Sequence, residues 1–150
     1  MVDMGFRAPR NDVVAGTYRT ERLAIGANAA IAKMLPGAVV TFDTNDHDVM
    51  ESDAAEDPIG FLGYGMASSE YKPATRDTAY TALNDEVPVH NGVGFIVRCP
   101  CASTSFVKGD MLTNGAAGVV IAATLGTDDI IGRVLESTTT ATTVWMISMI

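Results

Sequence analysis

The side chains of this sequence that could do chemistry are few and scattered. Cys99 and Cys101 flank Pro100, and a metal site would need further thiolate or imidazole ligands close by, preferably as a second pair. None follows. If a strand continues from Gly94, alternation sets Phe95, Val97, Cys99 and Cys101 on one face, which makes both cysteines small core residues. A bridge across one intervening residue would be strained. The run Asp43-Thr-Asn-Asp-His-Asp48 begins like a calcium loop, with oxygen ligands at alternate positions. Its sixth position is Asp48 where the sharp turn needs glycine, and its twelfth is Ala54 where a bidentate glutamate is required. A solvated loop is the better reading. His47 and His90 stand outside any nucleophile elbow, His-Glu-x-x-His helix or Cys-His pattern, so both are expected in loops. Gly60, Gly63 and Gly65 fall in a glycine-rich strand, but no Lys-Ser/Thr pair follows to hold a phosphate. Lys108-Gly109-Asp110 reads as a turn in which glycine supplies a positive φ and aspartate caps. Tyr64, Tyr71 and Tyr80 could stack on a sugar face, although packing in the core or between subunits uses such rings better. No set of acid, base and nucleophile converges, so neither an enzyme nor a cofactor is expected.

The elements that must position these residues belong to a folded chain. At 150 residues with 47% apolar and 19% charged side chains, one domain with a real core is expected. No run of about eighteen apolar residues occurs, and Met1-Val-Asp-Met-Gly-Phe-Arg7 lacks the basic-then-apolar order of a signal peptide. A soluble, cytoplasmically made chain without a membrane partner is expected. The net charge of −8 disfavours nucleic acid, which is bound mainly by neutralising phosphates. Residues 1–22 carry four Arg against three acids, whereas Asp43 to Asp57 holds seven acids and no Lys or Arg. That acidic stretch is expected to be a solvated loop.

Residues 1–22 contain Gly5, Pro9, Asn11, Asp12 and Gly16 without a sustained period, which predicts an extended N-terminal arm; residues 23–150 then form a single β-rich domain. The Ala-rich stretch Leu23 to Leu35 suits a short helix or an irregular strand, closed by Pro36-Gly37. Strands are expected at Ala38–Phe42, Ile59–Tyr64, Gly92–Arg98, Gly118–Ala123, Ile130–Leu135 and Thr143–Met149. The class is therefore all-β, a small β-barrel or β-sandwich-like body with room for one short helix. Pro36-Gly-Ala-Val-Val40, Asn91-Gly-Val-Gly94 and Gly118-Val-Val-Ile121 echo one another at irregular spacing, which is read as recurrent hairpin chemistry and not as a repeat.

Val107-Lys-Gly-Asp-Met-Leu-Thr113, Gly118-Val-Val120 and Asp129-Ile-Ile-Gly-Arg-Val-Leu-Glu-Ser137, together with Pro36-Gly-Ala-Val-Val-Thr41 and Ile59-Gly-Phe-Leu-Gly63, resemble small head-decoration proteins of tailed phages and archaeal viruses over roughly residues 35–150. The Ala-rich stretch and the acidic insert 43–57 depart from that pattern. The resemblance implies a barrel-like body, grouped as trimers on the outside of a capsid, that cements neighbouring capsomers, with the major capsid protein as partner and the virion as location. An arm commonly reaches onto the shell in such proteins. Arg7, Arg10, Tyr18 and Arg19 are the expected arm contacts, because Arg and Tyr dominate interface hot spots. Val144, Trp145, Ile147 and Ile150 leave more apolar surface than one barrel face needs and are the expected subunit contacts. A tail or head-fibre component shares this physics; a carbohydrate-binding module would instead need an exposed aromatic platform.

Overall fold

In this computed structural model, residues 13–15, 18–63, 78–81 and 86–150 are described. Their strands are β1 (Val13–Ala15), β2 (Arg19–Ile25), β3 (Val39–Phe42), β4 (Asp48–Glu51), β5 (Gly60–Leu62), β6 (Glu86–Asn91), β7 (Ile96–Phe106), β8 (Met111–Asn114), β9 (Val120–Ala122), β10 (Gly132–Val134) and β11 (Thr138–Ser148). The helical content among these residues is two single 3-10 turns, Ile31–Lys33 and Ala116–Gly118. The protein is all-β and barrel-built. In the Ala-rich stretch, Leu23 to Ile25 end β2, and the rest is loop around the first 3-10 turn. Of the residues expected in an arm, 13–15 pair with β7 and 19–22 open β2.

Strands β2-β4-β3-β5-β6 form a closed barrel. A second sheet runs β1-β7-β11-β10-β8-β9, and a parallel β9–β7 pairing at Val120 and Cys101 returns it to β7. That closes β7-β11-β10-β8-β9 into another ring, with β1 added outside.

The two rings are the same structure twice. In each, the first strand pairs with the third in parallel, and the remaining neighbours, third with second, second with fourth, fourth with fifth and fifth with first, are antiparallel. Register makes the match residue by residue. Leu62 N–H donates to Ala38 O and Ile59 N–H to Val40 O; Val134 N–H donates to Asp110 O and Ile131 N–H to Leu112 O, at one constant sequence offset. Leu23, Ile25, Val40, Val49, Leu62, Val87 and Val89 line the first core. Their register counterparts Cys99, Cys101, Leu112, Val120, Val134, Val144 and Met146 line the second. This corrects the expectation of mere hairpin echoes: the repeat is real, but its anchors are Pro36-Gly37 with Lys108-Gly109 and Ile59-Gly60 with Ile131-Gly132. At Gly60 only hydrogen fits, since a Cβ there would stand 2.5 Å from His90 O; one on Gly132 would meet the flexible end of Met146, its Cε at 1.9 Å.

Among the described residues, the rings meet at an apolar junction and at a polar one beside it. Val39 and Phe61, on the outward face of the first barrel, belong to the core of the second, where Phe61 and Tyr18 pack on Phe95. Beside them, Asn114 Nδ2 donates to Ser52 Oγ and to the carbonyls of Asp53 and Glu56 at 3.1, 2.6 and 3.0 Å. Ala117 N–H donates to Asp53 Oδ1, and Gly118 N–H to Ser52 O.

Candidate interaction surfaces

The chemical candidates resolve into structure. Cys99 and Cys101 are buried thiols standing where the first barrel has Leu23 and Ile25. Burial raises the Cys101 thiol above its ordinary value, and its Sγ faces Ala141 O at 3.4 Å. Both cysteines are therefore expected to react with a thiol reagent far more slowly in the folded protein than in denaturant, since the thiolate is the nucleophile. Rapid labelling under native conditions would contradict their core assignment.

The acidic stretch is not one solvated loop. β4 runs through it, with Val49 wholly buried, and its carboxylates hold backbone. Glu51 accepts from Ala30 N–H at 2.9 and 3.1 Å; Asp53 accepts from Ala117 at the ring junction. Asp43 accepts from the Asn28 side chain and from the Asn28 and Thr44 N–H groups, bonds that hold its carboxyl below the usual range against a smaller opposing effect of burial. The side-chain bond from Asn28 is the largest of these. No group of three His, Cys, Asp or Glu that could hold a metal ion occurs among the described residues.

His47 does sit in a turn, with φ of 67°. His90 does not: it lies in β6, 7% exposed, against the edge of Tyr18 with ring centroids 4.6 Å apart, and its Nδ1 is 3.0 Å from Thr20 Oγ1. Pro88 two residues earlier hid this strand, because proline argues against strand interior. Lys108-Gly109-Asp110 is the expected turn, with Gly109 at φ 96° and Asp110 Oδ2 accepting from Val107 N–H. Tyr80 is core, its hydroxyl donating to Gly63 O at 2.7 Å; Tyr64 and Tyr71 lie outside the described residues, as do Arg7 and Arg10.

Of the remaining contact candidates, Tyr18 turns into the ring junction against His90 and Phe95, and Arg19 is exposed at the start of β2. Val144 is 1% exposed inside the second core, and Ile150 packs on that core from its edge. Trp145 and Ile147 point the other way. Ile147 belongs to an outward row that register draws across four strands: Ile96 opposite Ile147, Ile147 opposite Arg133, and Arg133 opposite Met111. Trp145 and Met149 flank the row on β11 and just beyond it. The row's counterpart in the first barrel is Thr20, His90, Phe61 and Val39, paired in the same order. There Val39 and Phe61 are wholly buried under the second ring; here Arg133 is exposed and Ile96, Met111 and Ile147 are half-buried. Sequence reasoning found Trp145 and Ile147 but missed Ile96, Met111 and Arg133, whose signal was the alignment of the two Ile-Gly anchors.

No protein-family model matches the chain, and no curated protein matches it in sequence. Among solved structures it is similar in fold to the N base of the head fibre protein gp8.5 of bacteriophage phi29, with a TM-score of 0.50 and 15% identity over 88% of this chain and 94% of that one.

Proposed function

We propose that the protein is a non-enzymatic structural component of a virion that attaches, as a homotrimer, to the outside of an assembled capsid, with the major capsid protein as its partner. The observation that carries the reading is the fold likeness to a phage head-fibre base over nearly the whole of both chains, beside the sequence resemblance to head-decoration proteins. Doubled closed barrels suit the role. Closure removes sheet edges that would otherwise aggregate at high local concentration, and leaves rigid outward faces for docking. In this reading Arg7, Arg10 and Arg19 touch the shell, and Tyr18 anchors the segment to the body instead of reaching out. A trimer engages several capsid subunits at once, so modest single contacts sum to stable attachment.

A head-fibre base is the second reading, favoured by the same fold likeness; both place the chain on the head. The test is co-sedimentation with mature heads of the encoding virus, comparing the full chain with one lacking residues 1–12, which keeps every described strand. The full chain should saturate at a fixed ratio, and the shortened one should bind about tenfold or more weakly, the loss expected from removing the hot-spot side chains Arg7 and Arg10. Absence of saturable binding by the full chain would overturn the proposal.

A further inference from the structure

The ring junction has two sides, and the repeat supplies an uncovered counterpart of each. From the first barrel come the row Val39, Phe61 and His90 and the segment Ser52–Glu56; the second contributes Phe95, Asn114 and the turn 116–118. The counterpart of the first side is the open row Met111, Arg133 and Ile147, with Leu125, 72% exposed, in the loop that follows β9 as Ser52–Glu56 follows β4. On the other side, Phe42 is the counterpart of Asn114, since Phe42 pairs with Val49 as Asn114 pairs with Val120. Asn114 is buried beneath the Ser52–Glu56 segment, whereas Phe42 is 56% exposed.

We propose that these two faces bind each other between copies: Phe42 on the first barrel of one molecule seats on the Met111, Arg133 and Ile147 row of the next, head to tail. Charge supports this occupant. Phe42 is followed by Asp43, Asp46 and Asp48, and Asp43 is joined to Asp48 by a main-chain bond, so an apolar knob with an acidic border meets an apolar row centred on the exposed Arg133. Large apolar side chains on both faces are the ordinary anchors of a subunit interface. The chemistry differs from the intramolecular junction, because Arg19 stands at the place of Phe95 and Phe42 supplies the knob instead. A heterologous contact of this kind makes a ring when its rotation closes, which is how it would build the trimer of the proposed function, on whose homo-oligomeric part it rests.

The test is sedimentation equilibrium of the full chain and of two surface variants, Phe42→Ser and Arg133→Glu, each checked for an unchanged melting curve. The parent chain should be oligomeric at about 100 µM, and each variant should shift toward monomer by about tenfold or more in dissociation constant. Mixing the two variants should give dimers and nothing larger, because the mixture retains one intact pair of faces. A monomeric parent, an unshifted mass in either variant, or a mixture that forms no dimer would overturn the contact. A monomeric chain that still saturates heads would leave the capsid-binding proposal standing.

Discussion

Phe95→Ala is expected to destabilise the protein by about 3–5 kcal/mol, the range for emptying a buried phenylalanine site. Phe95 is wholly buried in the turn before β7, with Phe61 at 5.9 Å edge-on and Tyr18 at 5.6 Å between ring centroids. Its ring lies between the two barrels, so removing it withdraws apolar contact from both. The backbone cannot close the gap, because β7 is pinned to β11 along much of its length. In urea the midpoint should fall without a change of slope, the signature of lost stability with the same surface exposed. An unchanged midpoint would contradict the part given to Phe95 in joining the rings.

The second large effect uses the repeat as its own control. Gly37 and Gly109 occupy the same turn in the two barrels, at φ of 85° and 96°, and each donates its N–H to the corresponding carbonyl, Leu62 O or Val134 O. A Cβ on Gly109 meets nothing within 4 Å, whereas one on Gly37 would stand 2.0 Å from the Arg98 carbonyl oxygen. Gly109→Ala should therefore cost about 1–2 kcal/mol, the left-handed penalty for an L residue. Gly37→Ala adds overpacking against main chain, about 1–3 kcal/mol more. Thermal melts of the two variants measure the difference directly; equal losses would show that the barrels do not approach at Arg98 as described.

Much of the fold was legible because apolar runs mark buried strands. β3, β5, β9 and β10 fall on stretches that alternate or cluster Val, Ile and Phe between turn residues, whereas β7 and β11 were reached only in part, β7 running on past Arg98 to Phe106 and β11 starting five residues before Thr143. Of the missed strands, β2, β4 and β6 each lacked that mark for a physical reason. β2 opens with Arg19, Thr20, Glu21 and Arg22, all exposed, and buries side chains only from Leu23 onward. β4 is Asp-Val-Met-Glu, with one wholly buried residue in four. β6 carries Pro88, whose carbonyl accepts from Gly63 N–H but which has no N–H to return; the Gly63 carbonyl accepts from the Tyr80 hydroxyl instead.

The repeat escaped detection because only β3 with β8 and β5 with β10 share one offset, while β2, β4 and β6 correspond to β7, β9 and β11 at others, with loops of unequal length between them. Chemistry diverges as well. Leu23 and Ile25 become Cys99 and Cys101, and Phe61 becomes Arg133 where the packing partner is absent. The same divergence hid half of the candidate docking face. Trp145 and Ile147 stood out as surplus apolar residues on one strand, but Met111, Arg133 and Ile96 join them only when register across β7, β11, β10 and β8 is known. Val144 alternates to the inside, so its apolar side chain is used within the subunit.

The most direct test of the proposed role is electron cryomicroscopy of heads from the encoding virus with and without this chain, compared at a resolution that separates barrels. Difference density is expected outside the shell at capsomer contacts, into which the paired barrels fit with the Met111, Arg133 and Ile147 row turned toward a neighbouring copy. Density confined to the tail, or heads identical with and without the chain, would contradict the proposed role.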